Sequence, residues 1–170
     1  IGKFTGHKTG HFMNNKLLSK IENDIVIPTV DGIKKEGFNY VGFVFIGLMI
    51  VGDNPFVIEY NVRMGDPETE VVIPRIESDL LKHLYAAANN NLDGEDIIVN
   101  KNSASTVILV SKGYPEAYEK GKTISGLSNI ESDTIFHAGT RRDNKGDLIT
   151  NGGRVLAITS MSDSYESALE

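Results

Sequence analysis

Cysteine is absent from all 170 residues, so neither a disulfide framework nor a thiolate metal site is possible. Any metal would have to be held by oxygen or imidazole ligands. The same absence is compatible with a cytoplasmic protein. Positive charge is the minority: 17 Lys and Arg against 23 Asp and Glu leave a net charge of −6. Nucleic-acid binders usually carry a basic field, so no DNA or RNA partner is expected. Long apolar runs are also missing. The longest, Tyr40–Val51, contains Gly42 and Gly47 and falls well short of the ~20 residues a membrane-spanning helix needs, so no membrane partner is expected. Residues 1–12 mix Gly, Lys, Thr and His without the apolar core of a signal peptide, and position 1 is not Met. These features predict a fragment or a processed chain. What is present is a hydrophobic content of 40%, ordinary for a packed protein and sufficient for one sizeable domain or two small lobes.

Along the chain, Leu18, Ile21, Ile25, Val30 and Ile33 recur at roughly helical spacing, which predicts a long helix over 15–36, kinked or restarted at Pro28 and stopped by Gly37. Tyr40–Val51 and Phe56–Ile58 flank Gly52-Asp-Asn-Pro55 and read as two strands joined by a tight turn. The nearly continuous apolarity of the first implies burial on both faces. Asp66 is placed to cap a short helix with Pro67 at its first position. Ser78-Asp79 starts another helix, with Leu80, Leu81, Leu84, Tyr85 and Ala88 on one face and an end in Asn89-Asn-Asn91. Beyond residue 100 the composition shifts to short strands at 106–110, 134–137 and 154–159, separated by Gly- and Asp-rich loops. A helix begins at Ser164. The expected division is an irregular or tag-like start at 1–14, a lobe at 15–100 and a small β-rich lobe at 101–170.

The densest chemistry lies in Val57-Ile-Glu-Tyr-Asn-Val-Arg-Met-Gly-Asp-Pro-Glu-Thr-Glu70. On a strand Glu59 and Asn61 point to one face, bringing a carboxylate and an amide carbonyl together. Magnesium takes a few hard oxygen ligands and completes its shell with water and substrate phosphates, so this pair suits it. If the strand continues, Arg63 falls on the same face, where its planar fork could clamp a phosphate or carboxylate. Gly65 would let the backbone approach a ligand, and Asp66, Glu68 and Glu70 would favour an amine. Each feature has an ordinary alternative: a solvated Glu and Asn at a strand edge, a surface ion pair for Arg63, and a helix cap at Asp66-Pro67-Glu68. Their packing into about a dozen residues favours a site.

Tyr40-x-Gly-Phe-x-Phe-x-Gly-Leu-Met49 followed by Asn61-x-Arg-x-Gly-Asp-Pro-Glu-Thr69 resembles the phosphoribosylamine–glycine ligase family closely, and other ATP-grasp enzymes more loosely. Ile27-Pro-Thr-Val30, Ser78-Asp-Leu80, Lys112-Gly-Tyr-Pro115, Phe136-His-Ala-Gly-Thr140 and Thr150-Asn-Gly-Gly-Arg-Val155 extend the likeness over about residues 21–170. The resemblance implies an α+β fold: the C-terminal half of an ATP-grasp catalytic lobe, mostly antiparallel strands with helices, then a small β-rich, barrel-like lobe. It implies a ligase that joins glycine to 5-phosphoribosylamine with ATP, through glycyl phosphate, giving glycinamide ribonucleotide, ADP and phosphate. Glu59 and Asn61 would hold Mg²⁺ or Mn²⁺ between nucleotide phosphates. Arg63 would stabilise the transferring phosphoryl group, and Gly65, Asp66, Pro67, Glu68 and Arg154 would contact substrates.

Two departures bear on that expectation. Many ATP-grasp enzymes carry a further metal-binding acid on the preceding strand, where this chain has only Gly47. The family's substrate lobe and nucleotide-covering lobe have no counterpart here, so the chain alone is expected to be inactive. Residues 1–14 do not match the Gly-rich segment expected before the long helix. His137 reads as a structural hydrogen-bonding residue, and Asn151-Gly-Gly-Arg154 as a tight turn or an anion-binding nest. His7 and His11 read as tag-like rather than as a zinc site. The alternatives are another ATP-grasp carboxylate–amine ligase, or a binding or structural fragment without chemistry. Apolar surface left uncovered on the strand pair predicts a homodimer or larger assembly.

Overall fold

The computed structural model describes residues 14–170. The expectations for the first 13 residues, including His7 and His11, fall outside that range. Mixed helices and antiparallel sheets make up the chain, in two compact units. One runs up to Gly65 and adds Ile76–Ile98; the other comprises Asp66–Arg75 and Val99–Glu170.

The first unit opens with α1 (Asn15–Ile21), capped by Asn14 Oδ1 accepting from the Leu17 amide at 2.9 Å. A π-helical turn over Glu22–Val26 follows, with the Ile27 amide reaching back to the Glu22 carbonyl, and α2 (Ile27–Lys35) restarts the regular helix with Pro28 in its first turn. Proline has no N–H to donate, so the frame changes where it would break the ladder. Leu17, Ile21 and Ile25 form the buried stripe. Gly37, at φ +74°, ends the helix: its amide bonds Lys34 O and the next amide bonds Ile33 O, a Schellman closure that glycine adopts without Cβ penalty.

Strands β1 (Phe45–Val51) and β2 (Asn54–Asn61) form an antiparallel hairpin around Gly52, whose φ is +59°. The expectation that the first strand is buried on both faces fails, since its Met49 and Val51 are exposed; Phe56, Ile58 and Tyr60 of β2 are exposed as well. The hairpin is a sheet of only two strands, with α1 packed against β2, so most of its apolar surface has no cover among the described residues. Tyr40 Oη lies 2.6 Å from Phe43 O and 3.0 Å from Val62 O, tying the approach to β1 to the exit from β2.

Helix α4 (Leu80–Ala88) is capped by Asp79, whose carboxylate accepts from the Lys82 amide. Its buried residues are His83 and Ala86, whereas Leu81, Leu84 and Tyr85 of the anticipated apolar face are exposed. Ser78 decides this: its hydroxyl meets His83 Nε2 at 2.6 Å and accepts from the Ile98 amide at 3.0 Å, turning the histidine inward. Glu95 bonds Lys82 at 2.9 Å and holds that ammonium above its usual range, first through the hydrogen bond and then through its charge.

The short α3 (Thr69–Val72) packs on β3 (Ser103–Val110) and on β7 (Arg154–Ser162), which places Asp66–Arg75 in the second unit. β7 is the middle strand of an antiparallel sheet, between β3 and β4 (Thr134–His137). Its Val155, Leu156 and Ala157 are buried, and Thr159 donates to Thr106 across the sheet at 2.9 Å. β5 (Thr140–Arg142) and β6 (Leu148–Thr150) make a separate hairpin. The terminal α5 (Tyr165–Leu169), capped by Ser164, contacts β3 and β7 and buries Ala168.

Candidate active site

Glu59 and Asn61 occupy the end of β2, and their side chains meet: Asn61 Nδ2 lies 3.2 Å from Glu59 Oε1. The alternation of a strand puts them on one face, as the sequence indicates. A local irregularity sharpens the arrangement. Gly47 pairs with Glu59 and Leu48 with Val57, so Ile58 is an extra residue in β2, and beyond this bulge the ladder continues as Ile46–Tyr60 and Phe45–Asn61.

Chemically the pair fits a hard divalent cation. Which end of an amide carries oxygen is fixed only by its neighbours. With the Asn61 amide turned over, two oxygens face each other at nearly the spacing of adjacent corners of a magnesium octahedron, about 3 Å for metal–oxygen bonds of ~2.1 Å. Among the described residues no group of three His, Asp or Glu side chains could hold a metal by itself. A cation at Glu59 and Asn61 would therefore need water and ligand phosphates, which is how magnesium is ordinarily bound.

Arg63 departs from the expected geometry. β2 ends at Asn61, so strand alternation does not carry Arg63 onto the ligand face; the side chain is exposed and Nη1 donates to Met64 O at 3.1 Å. Gly65 is buried and is the last residue of the first unit's leading segment. Asp66, Pro67 and Glu68 belong to the second unit, as does Arg154. The motif that is continuous in sequence is thus shared between the units.

Asp66 does not cap a helix. The Asp66–Pro67 peptide is cis, α3 starts at Thr69 after Glu68, and no side chain caps it. The Asp66 carboxylate instead meets Arg154 Nη1 at 3.2 Å, and the same nitrogen donates to the Asp66 carbonyl at 3.2 Å. Arg154 therefore grips both ends of Asp66.

What steadies Arg154 has no signature in the sequence pattern. A Cβ on Gly153 would lie 2.1 Å from the Tyr114 ring, and one on Gly139 would lie 2.5 Å from Arg154 O and from Gly152 Cα. Ser111 donates from its amide to Gly153 O and from its hydroxyl to Gly152 O, both at 2.8 Å. Three separated motifs, Lys112-Gly-Tyr-Pro115, His137-Ala-Gly-Thr140 and Asn151-Gly-Gly-Arg154, meet at this crossing. Neither Gly152 nor Gly153 has positive φ, so the segment is a close-packed turn entering β7 and lacks the left-handed step of a nest. His137 Nδ1 pairs with Thr140 Oγ1 at 3.0 Å, a local structural bond of the kind expected for it.

Comparison with known proteins adds the wider context. Residues 5–69 match the family model described as "Phosphoribosylglycinamide synthetase, ATP-grasp (A) domain", and residues 104–170 match "Phosphoribosylglycinamide synthetase, C domain". The first match begins inside the stretch read as tag-like. The chain is 39% identical to a phosphoribosylamine–glycine ligase of Chlorobaculum tepidum, over 99% of this chain and 41% of that protein. It is 42% identical to one from Vigna unguiculata, over 93% of this chain and 53% of that protein. A crystal structure of the Thermotoga maritima phosphoribosylamine–glycine ligase superposes with a TM-score of 0.77 at 35% identity, covering 92% of this chain and 38% of that one. The chain thus spans less than two thirds of the length of each.

Proposed function

Because the chain belongs to the phosphoribosylamine–glycine ligase family, we propose that it supplies the metal-holding end of an ATP-dependent ligase that joins glycine to 5-phosphoribosylamine. The observation that carries this reading is the convergence of Glu59 and Asn61 immediately before the Arg63–Thr69 motif. In the proposed reaction a glycine carboxylate oxygen attacks the γ-phosphorus of ATP and ADP leaves. The amine nitrogen then attacks the carbonyl carbon of glycyl phosphate, phosphate departs and the nitrogen loses a proton, leaving glycinamide ribonucleotide. Glu59 Oε and Asn61 Oδ1 would hold a magnesium or manganese ion, which neutralises phosphate charge as it develops. Arg63, with one nitrogen anchored on Met64 O, keeps further donors for the transferring phosphoryl group.

Gly65, Asp66, Pro67 and Glu68 would shape the acceptor pocket, with Arg154 holding Asp66 in place and available to a substrate anion. Among the described residues no helix is long and apolar enough to cross a membrane. A cytoplasmic location is proposed from the purine-precursor ligase reading alone. By itself the chain should not turn over.

The test is ATP-, glycine- and phosphoribosylamine-dependent phosphate release by the full-length protein. Glu59→Ala and Asn61→Ala should each reduce it by more than the ~10–100-fold typical of losing a supporting residue around a metal. Turnover with another carboxylate and amine but not with these would reassign the substrate while keeping the ligase chemistry. Undiminished turnover in both variants would sink the metal assignment.

A further inference from the structure

Across the hairpin from Glu59 stands Gly47, and the missing side chain there has a direct geometric consequence. Paired residues in an antiparallel ladder project on the same face with Cβ atoms about 5 Å apart, so a side chain at 47 would stand beside the Glu59 carboxylate. A Cβ built on Gly47 would lie 3.0 Å from Glu59 Cγ and 3.7 Å from its Oε1. Carbon–carbon contacts settle at about 3.5–4.0 Å, so the Glu59 side chain would have to give by a few tenths of an ångström. Oε1 is the atom that faces Asn61 at 3.2 Å, so a shift of the Glu59 side chain bears directly on that convergence. Gly47 has no positive φ, so its backbone needs no glycine. Space beside Glu59 is the requirement.

We propose that Gly47 is a positioning residue for the metal pair: the empty place across the bulged hairpin fixes the Glu59 side chain in the conformation that converges with Asn61 on a divalent cation. This rests on the metal reading above. Gly47 touches neither metal nor substrate. Its effect should appear in metal affinity and leave the rate at saturating metal nearly intact.

The experiment is Mn²⁺ binding to the full-length protein, read by electron paramagnetic resonance in the presence of a non-hydrolysable ATP analogue, beside the Mg²⁺ dependence of turnover. Gly47→Ala should weaken Mn²⁺ binding about 10-fold, within the range for residues that orient a ligand, and raise the Mg²⁺ needed for half-maximal rate by a similar factor, with kcat at saturating Mg²⁺ close to wild type. Met49→Ala, on the same strand but opposite Phe56, should leave Mn²⁺ binding unchanged. It controls for general loosening of the hairpin. Wild-type Mn²⁺ affinity in Gly47→Ala overturns the proposal, as does equal weakening in both variants. Intact binding in Glu59→Ala would overturn the metal reading itself, whereas lost binding in Glu59→Ala with wild-type binding in Gly47→Ala would overturn the Gly47 proposal alone.

Discussion

The two units handle their apolar residues in opposite ways. In the second, β7 lies between two strands and its Leu156 is only 2% exposed, with Val155 and Ala157 buried beside it. In the first, the helices bury Leu17, Ile21 and Ile25, but the hairpin that carries Glu59 and Asn61 leaves Phe56 at 56% and Ile58 at 62% exposed. The strand with the candidate chemistry thus lies in the part of the chain with the least cover of its own, and the well-packed unit carries Arg154 and the loop it grips. Stability and ligand chemistry are separated along the chain.

The largest effect should come from Leu156→Ala, which removes the most buried side chain and should cost about 2–5 kcal/mol. Hydrogen exchange sharpens the comparison: amides of β3, β4 and β7 should lose protection while those of β1 and β2 keep theirs. Equal loss in both would mean the two units unfold as one. Next is Gly153→Ala, whose Cβ would strike the Tyr114 ring; overpacking of this kind costs about 1–3 kcal/mol by denaturant titration. Gly32→Ala in α2, where nothing lies within 4 Å of the new Cβ, should instead stabilise by roughly 0.5–1 kcal/mol.

Much of the local structure was legible from sequence because local physics decides it. Asp79 caps α4, Gly37 closes α2, Gly52 turns the hairpin, and the alternation of β2 brings Glu59 to Asn61. The failures are long-range. Asp66 carries the signature of a cap, yet Arg154, 88 residues away, takes its carboxylate. Arg63 lies two residues beyond a strand that stops at Asn61, so strand alternation does not reach it. Leu81, Leu84 and Tyr85 have a helical apolar spacing, but the bond from Ser78 to His83 selects the other face. The meeting of Gly139, Gly152 and Gly153 with Tyr114 leaves no periodic trace in the sequence. Gly47 was visible as a break in an apolar run, but its place opposite Glu59 depends on the register of a bulged hairpin.

A smaller effect on stability is expected at Arg154. Its pair with Asp66 is partly solvated, with side-chain exposures of 39% and 61%, and such pairs contribute about 0.2–1 kcal/mol. Arg154→Ala should therefore melt close to wild type. Under the function proposed above, in which Arg154 holds Asp66, the KM for the amine substrate should rise while the Mg²⁺ dependence stays unchanged. A shift in Mg²⁺ dependence alone would overturn that role for Arg154.

The smallest stability effect should come from the exposed face of the hairpin, and it carries the sharpest contrast with Leu156. Ile58→Thr keeps a β-branched side chain on the strand, and at 62% exposure it should change stability by no more than about 0.5 kcal/mol. Exposed apolar groups in a cluster favour association, so the 170-residue chain should form dimers or larger species. Light scattering across a concentration series would show them, and Ile58→Thr combined with Phe56→Thr should shift the population toward monomer. A wild-type chain that stays monomeric at all concentrations would mean that the hairpin face is tolerated in water, and the contrast between the units would then concern packing alone.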